Sequence, residues 1–167
     1  MASRIQAWLD QEDARLREVI RHHGWAIEYI GGGCCSVPGC EGGDDDCPPF
    51  AYTVGLFGLG HPELLVFSLD MHESQGLLNT VGDDIRAGGD LIPGIEFSVG
   101  GWPRKVVAEE VPNPGEIVFT ANRFYQHPDE FSVPVLQLTY SDDNGLYPWD
   151  EGFDDPGSQP RPGSFRA

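Results

Sequence analysis

Two apolar runs, Phe50–Leu56 and Leu64–Leu69, are joined by only seven residues, Phe57-Gly58-Leu59-Gly60-His61-Pro62-Glu63. Parallel strands need a crossover of about a dozen residues or more, so these two runs must pair antiparallel. Any fold for the chain has to be built around that hairpin. Pro62 biases His61 towards an extended backbone, so His61 is expected to project from the loop instead of curling into a helix.

Elements on either side are legible from periodicity and caps. Ile5, Trp8, Leu9, Leu16, Val19 and Ile20 recur at helical spacing, with a Ser3/Gln6 capping pair before them and Gly24 as the stop. Trp25–Ile30 reads as a short strand. Asp70 with Glu73 caps a second helix, whose stripe is Ser74, Leu77, Leu78, Val81 and Ile85 and which ends at Gly88-Gly89. Gly76 and Gly82 inside it should cost stability. Ile95–Val99 and Lys105–Val111 form a second hairpin around Gly100-Gly101-Trp102-Pro103. Pro114-Gly115-Glu116 opens a segment with Val118, Phe119, Ala121, Phe124 and Tyr125 that fits a short helix or a strand. Val135–Tyr140 alternates as a last strand.

The expected fold is α+β, an antiparallel sheet of five or six strands with two main helices on one face. A length of 167 residues suits a single domain. That domain is expected over residues 1–153, with a Cys-, Asp- and Gly-rich loop at 31–49. Residues 154–167, DDPGSQPRPGSFRA, hold so few apolar side chains that a disordered, dispensable tail is expected.

Charge narrows the function classes. With 27 acidic and ten basic residues the net charge is −17, which repels phosphate backbones, so nucleic acid is disfavoured as a partner. Four of the ten basic residues, Arg4, Arg15, Arg17 and Arg21, lie on the first helix among Asp10, Glu12, Asp13 and Glu18, and read as a solvated face. The N-terminal stretch carries acids where a signal peptide needs an apolar run, and no segment approaches the ~18 apolar residues of a membrane span. A cytoplasmic protein with no membrane partner is expected.

The stretch Phe50-Ala51-Tyr52-Thr53-Val54-Gly55-Leu56 followed by Gly60-His61-Pro62-Glu63-Leu64-Leu65-Val66-Phe67 resembles the signature of an uncharacterised bacterial domain-of-unknown-function family. Leu136-Gln137-Leu138, then Asp142, Gly145 and Tyr147-Pro148-Trp149, resembles its C-terminal block, and the first helix with Gly24-Trp25 extends the likeness over residues 5–153. The resemblance implies no activity, and the Cys34–Cys47 loop stands as an addition to the family pattern.

Four groups of residues are candidates for function. His61 and Glu63 pair an imidazole with a carboxylate, the elements of an acid/base couple or of metal ligation; equally, His61 bonds a backbone carbonyl and Glu63 starts a strand. Tyr52, Thr53 and Gly55 offer a ring, a hydroxyl and a place of close approach, for a ligand or for another stretch of backbone. Trp149, in Tyr147-Pro148-Trp149, and Trp102-Pro103 set aromatic rings in rigid loops, as binding surfaces or as staples. Cys34, Cys35, Cys40 and Cys47, spaced C-C-x4-C-x6-C, hold the thiols of a tetrahedral zinc site but lack the usual C-x2-C pairs, leaving metal, redox and no role open. No G-x-S-x-G elbow, Walker loop or Rossmann glycine pattern occurs.

The leading expectation is therefore a binding domain for a small molecule or a protein, with its site near Tyr52, Thr53, His61, Glu63 and Trp149. The alternatives are a small enzyme using His61 and Glu63, and an acidic immunity- or inhibitor-type protein meeting a basic partner. The strand-turn-strand-helix order of residues 50–88 also resembles flavin-binding split barrels in pattern alone.

Overall fold

The computed structural model describes residues 3–31 and 48–167. Ser3 accepts a hydrogen bond from the Gln6 N–H and opens α1 (Arg4–His23), and Gly24 closes it in the left-handed conformation. β1 (Ala26–Ile30) follows, then β2 (Phe50–Val54) and β3 (Glu63–Phe67). Asp70 caps α2 (Met71–Arg86) by accepting from the Glu73 N–H. The rest comprises β4 (Glu96–Ser98), β5 (Lys105–Glu110), α3 (Phe119–Tyr125) and β6 (Val135–Tyr140). The ambiguous segment after Pro114 is thus a 3-10 turn over Pro114–Glu116 followed by a helix.

The strands form one sheet in the order β1-β2-β3-β6-β5-β4. Both hairpins pair as their connection lengths require, β2 with β3 and β4 with β5. The purely antiparallel sheet is corrected: β6 lies parallel to β3, with Glu63 opposite Val135 and Leu65 opposite Gln137. Short connections fix pairing only inside each half. β6 returns after β4, β5 and α3 to be inserted between the halves, and such a long connection leaves its direction free.

Helices cover both faces, not one. On the first face, Leu77, Leu78, Val81 and Ile85 of α2 pack with Trp25 over Ala51, Leu64, Val66, Val106, Leu136 and Leu138. Each buried leucine or valine there contributes about 1.5–3 kcal/mol. The glycine inside α2 that the sequence marks as a weakness makes room for this packing, because a Cβ on Gly82 would stand 2.6 Å from the Trp25 ring. On the second face, Ile117, Val118 and Ala121 cover Phe50, Tyr52, Leu65 and Phe67, with Ile20 of α1 at the edge.

The disordered tail is corrected as well. Gln159 accepts from the Tyr140 N–H (3.0 Å) and donates to the Tyr140 carbonyl (2.9 Å), beyond the stretch of β6 that pairs with β3. Phe165 completes the second core, its ring centroid 5.3 Å from Phe50 and 4.9 Å from Phe67. Individual side chains, Gln159 and Phe165 with Arg161 on Glu109, dock the segment, which a composition average does not register. Among the described residues no helix is long and apolar enough to cross a membrane.

Candidate functional site

The hairpin connection is organised by a carboxylate. β2 ends at Val54, and Gly55 turns the chain at φ +135° into a 3-10 turn over Leu56–Leu59. The first N–H groups of such a turn have no partner inside it. Glu63, the first residue of β3 and fully buried, supplies them: Oε1 accepts from Gly55 N–H (2.8 Å) and Phe57 N–H (3.1 Å), and Oε2 from Leu56 N–H (3.2 Å). Thr53 completes the set. Its hydroxyl donates to Oε2 at 2.6 Å while accepting from Leu64 N–H at 2.9 Å. Burial pushes the Glu63 carboxyl up to about 7, against the opposing pull of those hydrogen bonds.

The other residues of this motif are likewise engaged. A Cβ on Gly55 would lie 2.6 Å from the Gly24 carbonyl oxygen and 2.7 Å from Trp25 Cα, so the close approach there is by backbone. Tyr52 is buried and its oxygen accepts from Thr120 N–H (3.1 Å), satisfying a donor in the first turn of α3, where no side chain caps. Gly58 N–H donates to the Tyr125 hydroxyl oxygen (3.1 Å).

His61 points elsewhere. Its Nδ1 lies 2.7 Å from the Pro62 carbonyl, which can only accept, so Nδ1 carries the hydrogen. Nε2 is buried with no hydrogen-bond partner among the described residues, and Asp90 Oδ1 stands 3.9 Å from it. No hydrogen bond joins His61 to Glu63 among the described residues: Glu63 turns back on Thr53 and the 3-10 turn, His61 towards the loop after α2.

Trp149 is half-exposed and sandwiched. It stacks on Tyr147 with centroids 4.7 Å apart, and the Arg161 guanidinium lies 4.5 Å over its ring. Arg161 in turn makes a bidentate pair with Glu109 (3.0 and 2.8 Å). Trp102 packs edge-on against Tyr140 at 5.4 Å. Cys34, Cys35, Cys40 and Cys47, with the zinc they would hold, lie outside the described residues. Among the described residues no group of three or more His, Cys, Asp or Glu side chains is placed to hold a metal ion.

Asp90 leads to a region the sequence reading passed over. The loop between α2 and β4 bounds a groove of about 240 Å³, lined by Asp84, Ile85, Asp90, Leu91, Ile95 and Phe97 among others. Ile92 and Ile95 beside it are 65% and 57% exposed. Ile95 is expected as a strand residue, yet β4 begins one position later, leaving it on the rim. Another groove is lined by Pro93, Gly94, Glu109, Glu110, Arg161 and Pro162. Among the described residues no lysine or arginine pairs with Asp84 or Asp90. The available sequence signal was the pair Leu91-Ile92 set between Gly89 and Pro93, apolar residues where a connector is normally polar.

Residues 19–154 match a domain of unknown function, DUF4262. The hairpin motif and the Leu136–Trp149 block fall inside that match, whereas the first part of α1 and the docked tail fall outside it. No curated protein matches the chain, and no solved structure matches it.

Proposed function

The chain belongs to the DUF4262 domain family, and from that premise we propose that it is a protein-binding domain whose partner presents apolar and basic side chains to the groove between α2 and β4. The observation that carries this reading is the exposure of Ile92 and Ile95 beside Asp84 and Asp90. An exposed apolar patch rimmed by charge of one sign is suited to a partner of opposite charge. His61, behind Asp90, is the member of the expected site that stays with this surface. Tyr52, Thr53 and Glu63 lie inside the fold, away from this groove.

An enzyme using His61 and Glu63 together is less well supported. An acid/base couple needs both groups within reach of one reacting atom. Here the Glu63 oxygens are occupied by the Thr53 hydroxyl and the amides of residues 55–57.

The test is binding of a fluorescently labelled amphipathic lysine/leucine peptide, followed by anisotropy at several salt concentrations. Binding that weakens with salt, and weakens about tenfold or more in the double variant Asp84→Asn/Asp90→Asn, is expected. Equal binding by that variant and the parent would remove the groove from consideration.

A further inference from the structure

α1 is longer than the domain needs. Its twenty residues span about 30 Å at 1.5 Å per residue, and Glu12-Asp13 divide its apolar stripe into Ile5, Trp8 and Leu9 before them and Leu16, Val19 and Ile20 after. The C-terminal part of that stripe enters the core, with Leu16 buried and Ile20 joining the second core, and Leu9 before it is partly buried. The pair between Asp13 and Arg123 of α3, at 3.1 Å, ties the helix down near its middle. Before it, Ile5 is 72% exposed and Trp8 58% exposed, on successive turns of a helix whose first turn is capped by Ser3. The match to the domain family starts only at residue 19, so this projecting half is not part of the shared domain.

Charge says what suits that face. α1 carries four arginines (Arg4, Arg15, Arg17, Arg21) and four acids (Asp10, Glu12, Asp13, Glu18), so it is neutral, while the whole chain carries −17. The net charge opposes self-association in general, and a neutral helix face adds no further repulsion where two copies meet.

The arrangement is also self-complementary. Arg4 lies four residues before Trp8 and Glu12 four residues after it. If two α1 helices pack antiparallel with the Trp8 rings at the two-fold axis, each Arg4 stands level with the other copy's Glu12, and the contact closes after two copies. Among the described residues Glu12 pairs with the exposed Arg15 alone, at 3.2 Å, a pair that exchanges at little cost.

We infer that the N-terminal half of α1, through Ile5, Trp8 and the Arg4/Glu12 pair, is the docking surface for a second copy of this chain in antiparallel register. So small a patch makes a weak dimer, at the low end of specific interfaces.

Sedimentation velocity on the full chain from about 1 to about 200 μM tests it. The expected result is a concentration-dependent monomer–dimer equilibrium that Trp8→Glu abolishes while the circular dichroism spectrum stays that of the parent. Arg4→Glu and Glu12→Arg should each weaken the dimer about tenfold, and combining them in one chain should restore it, since only a copy-to-copy contact is repaired by a swap within one sequence. A parent that stays monomeric at every concentration, a dimer indifferent to Trp8→Glu, or a double swap no better than its single members would overturn the proposal. Because these variants lie on α1, they leave the groove between α2 and β4 intact, and the two readings can fail separately.

Discussion

The connection from Leu56 to Glu63 and the connection from Gly88 to Ile95 are both glycine- and proline-bearing loops that meet where His61 faces Asp90, yet they handle their polar and apolar groups in opposite ways. The first turns its polar groups inward: the amides of Leu56 and Phe57 bond to Glu63 and Leu56 is buried, with Leu59 left half-exposed at its tip. The second tucks Leu91 against the core but turns Ile92 and Ile95 into solvent, and among the described residues neither Asp90 nor the neighbouring Asp84 of α2 pairs with a lysine or arginine. The more recognisable motif is therefore engaged in architecture, and the less recognisable loop carries the surface proposed to bind a partner.

The largest effect should come from removing the acceptor at the closed loop. Glu63→Ala strands the buried amides of residues 55–57 and the Thr53 hydroxyl. A loss of about 3–5 kcal/mol in urea unfolding is expected. A loss below about 1 kcal/mol would mean the 3-10 turn holds itself, and the contrast between the two loops would collapse.

The same carboxyl gives a pH signature. Its folded-state value is raised from 4.5 to about 7 by burial, so the folded protein binds that proton more tightly than the unfolded chain does. Stability from this group is fully present below about pH 4.5, falls as pH rises towards 7, and is flat above, by up to about 3 kcal/mol in all. Glu63→Gln cannot titrate. The stability difference between parent and Glu63→Gln, measured by denaturant unfolding at intervals of pH, should decline over that window; a difference that grows with pH would reverse the assignment.

Next in size is the tail. Cutting the chain after Phe153 removes Phe165 from the second core and both Gln159 bonds to Tyr140. About 2–3 kcal/mol should be lost, seen as a fall of several degrees in thermal midpoint. An unchanged midpoint would return the segment to the dispensable tail its composition suggests.

These cases mark what was legible in the sequence. Caps and periodicity are local, so Ser3, Gly24, Asp70 and the bounds of β6 could be read directly. The parallel β3–β6 pair depends on a connection too long to fix direction. Glu63 was visible as a carboxylate beside a histidine, but its partners are set by the fold of the 3-10 turn, and a turn type cannot be read from Leu-Phe-Gly-Leu. At Gly55 the alternatives were a ligand or a backbone, and the answer, Gly24-Trp25, lies thirty-one residues from it in sequence. The tail misled because docking depends on particular side chains, the Gln159 amide, the Phe165 ring and the Arg161 guanidinium, instead of average apolar content.

The smallest effect on stability should come from the open loop. Ile92→Ser replaces a side chain with little buried surface, and the unfolding free energy should move by no more than about 0.5 kcal/mol while peptide binding weakens. A large loss of stability would show that Ile92 packs in solution.

The most direct test of the contrast is to titrate isotopically labelled protein with the amphipathic lysine/leucine peptide and follow every backbone amide by NMR. The expected result is a contiguous set of shifts over Asp84–Phe97 with His61 at its edge, while the amides of Gly55, Leu56 and Phe57 stay fixed in their bonds to Glu63. Shifts centred on residues 53–57 with Asp84–Phe97 unmoved would contradict it, for they would place binding in the loop whose polar groups are here bonded inward.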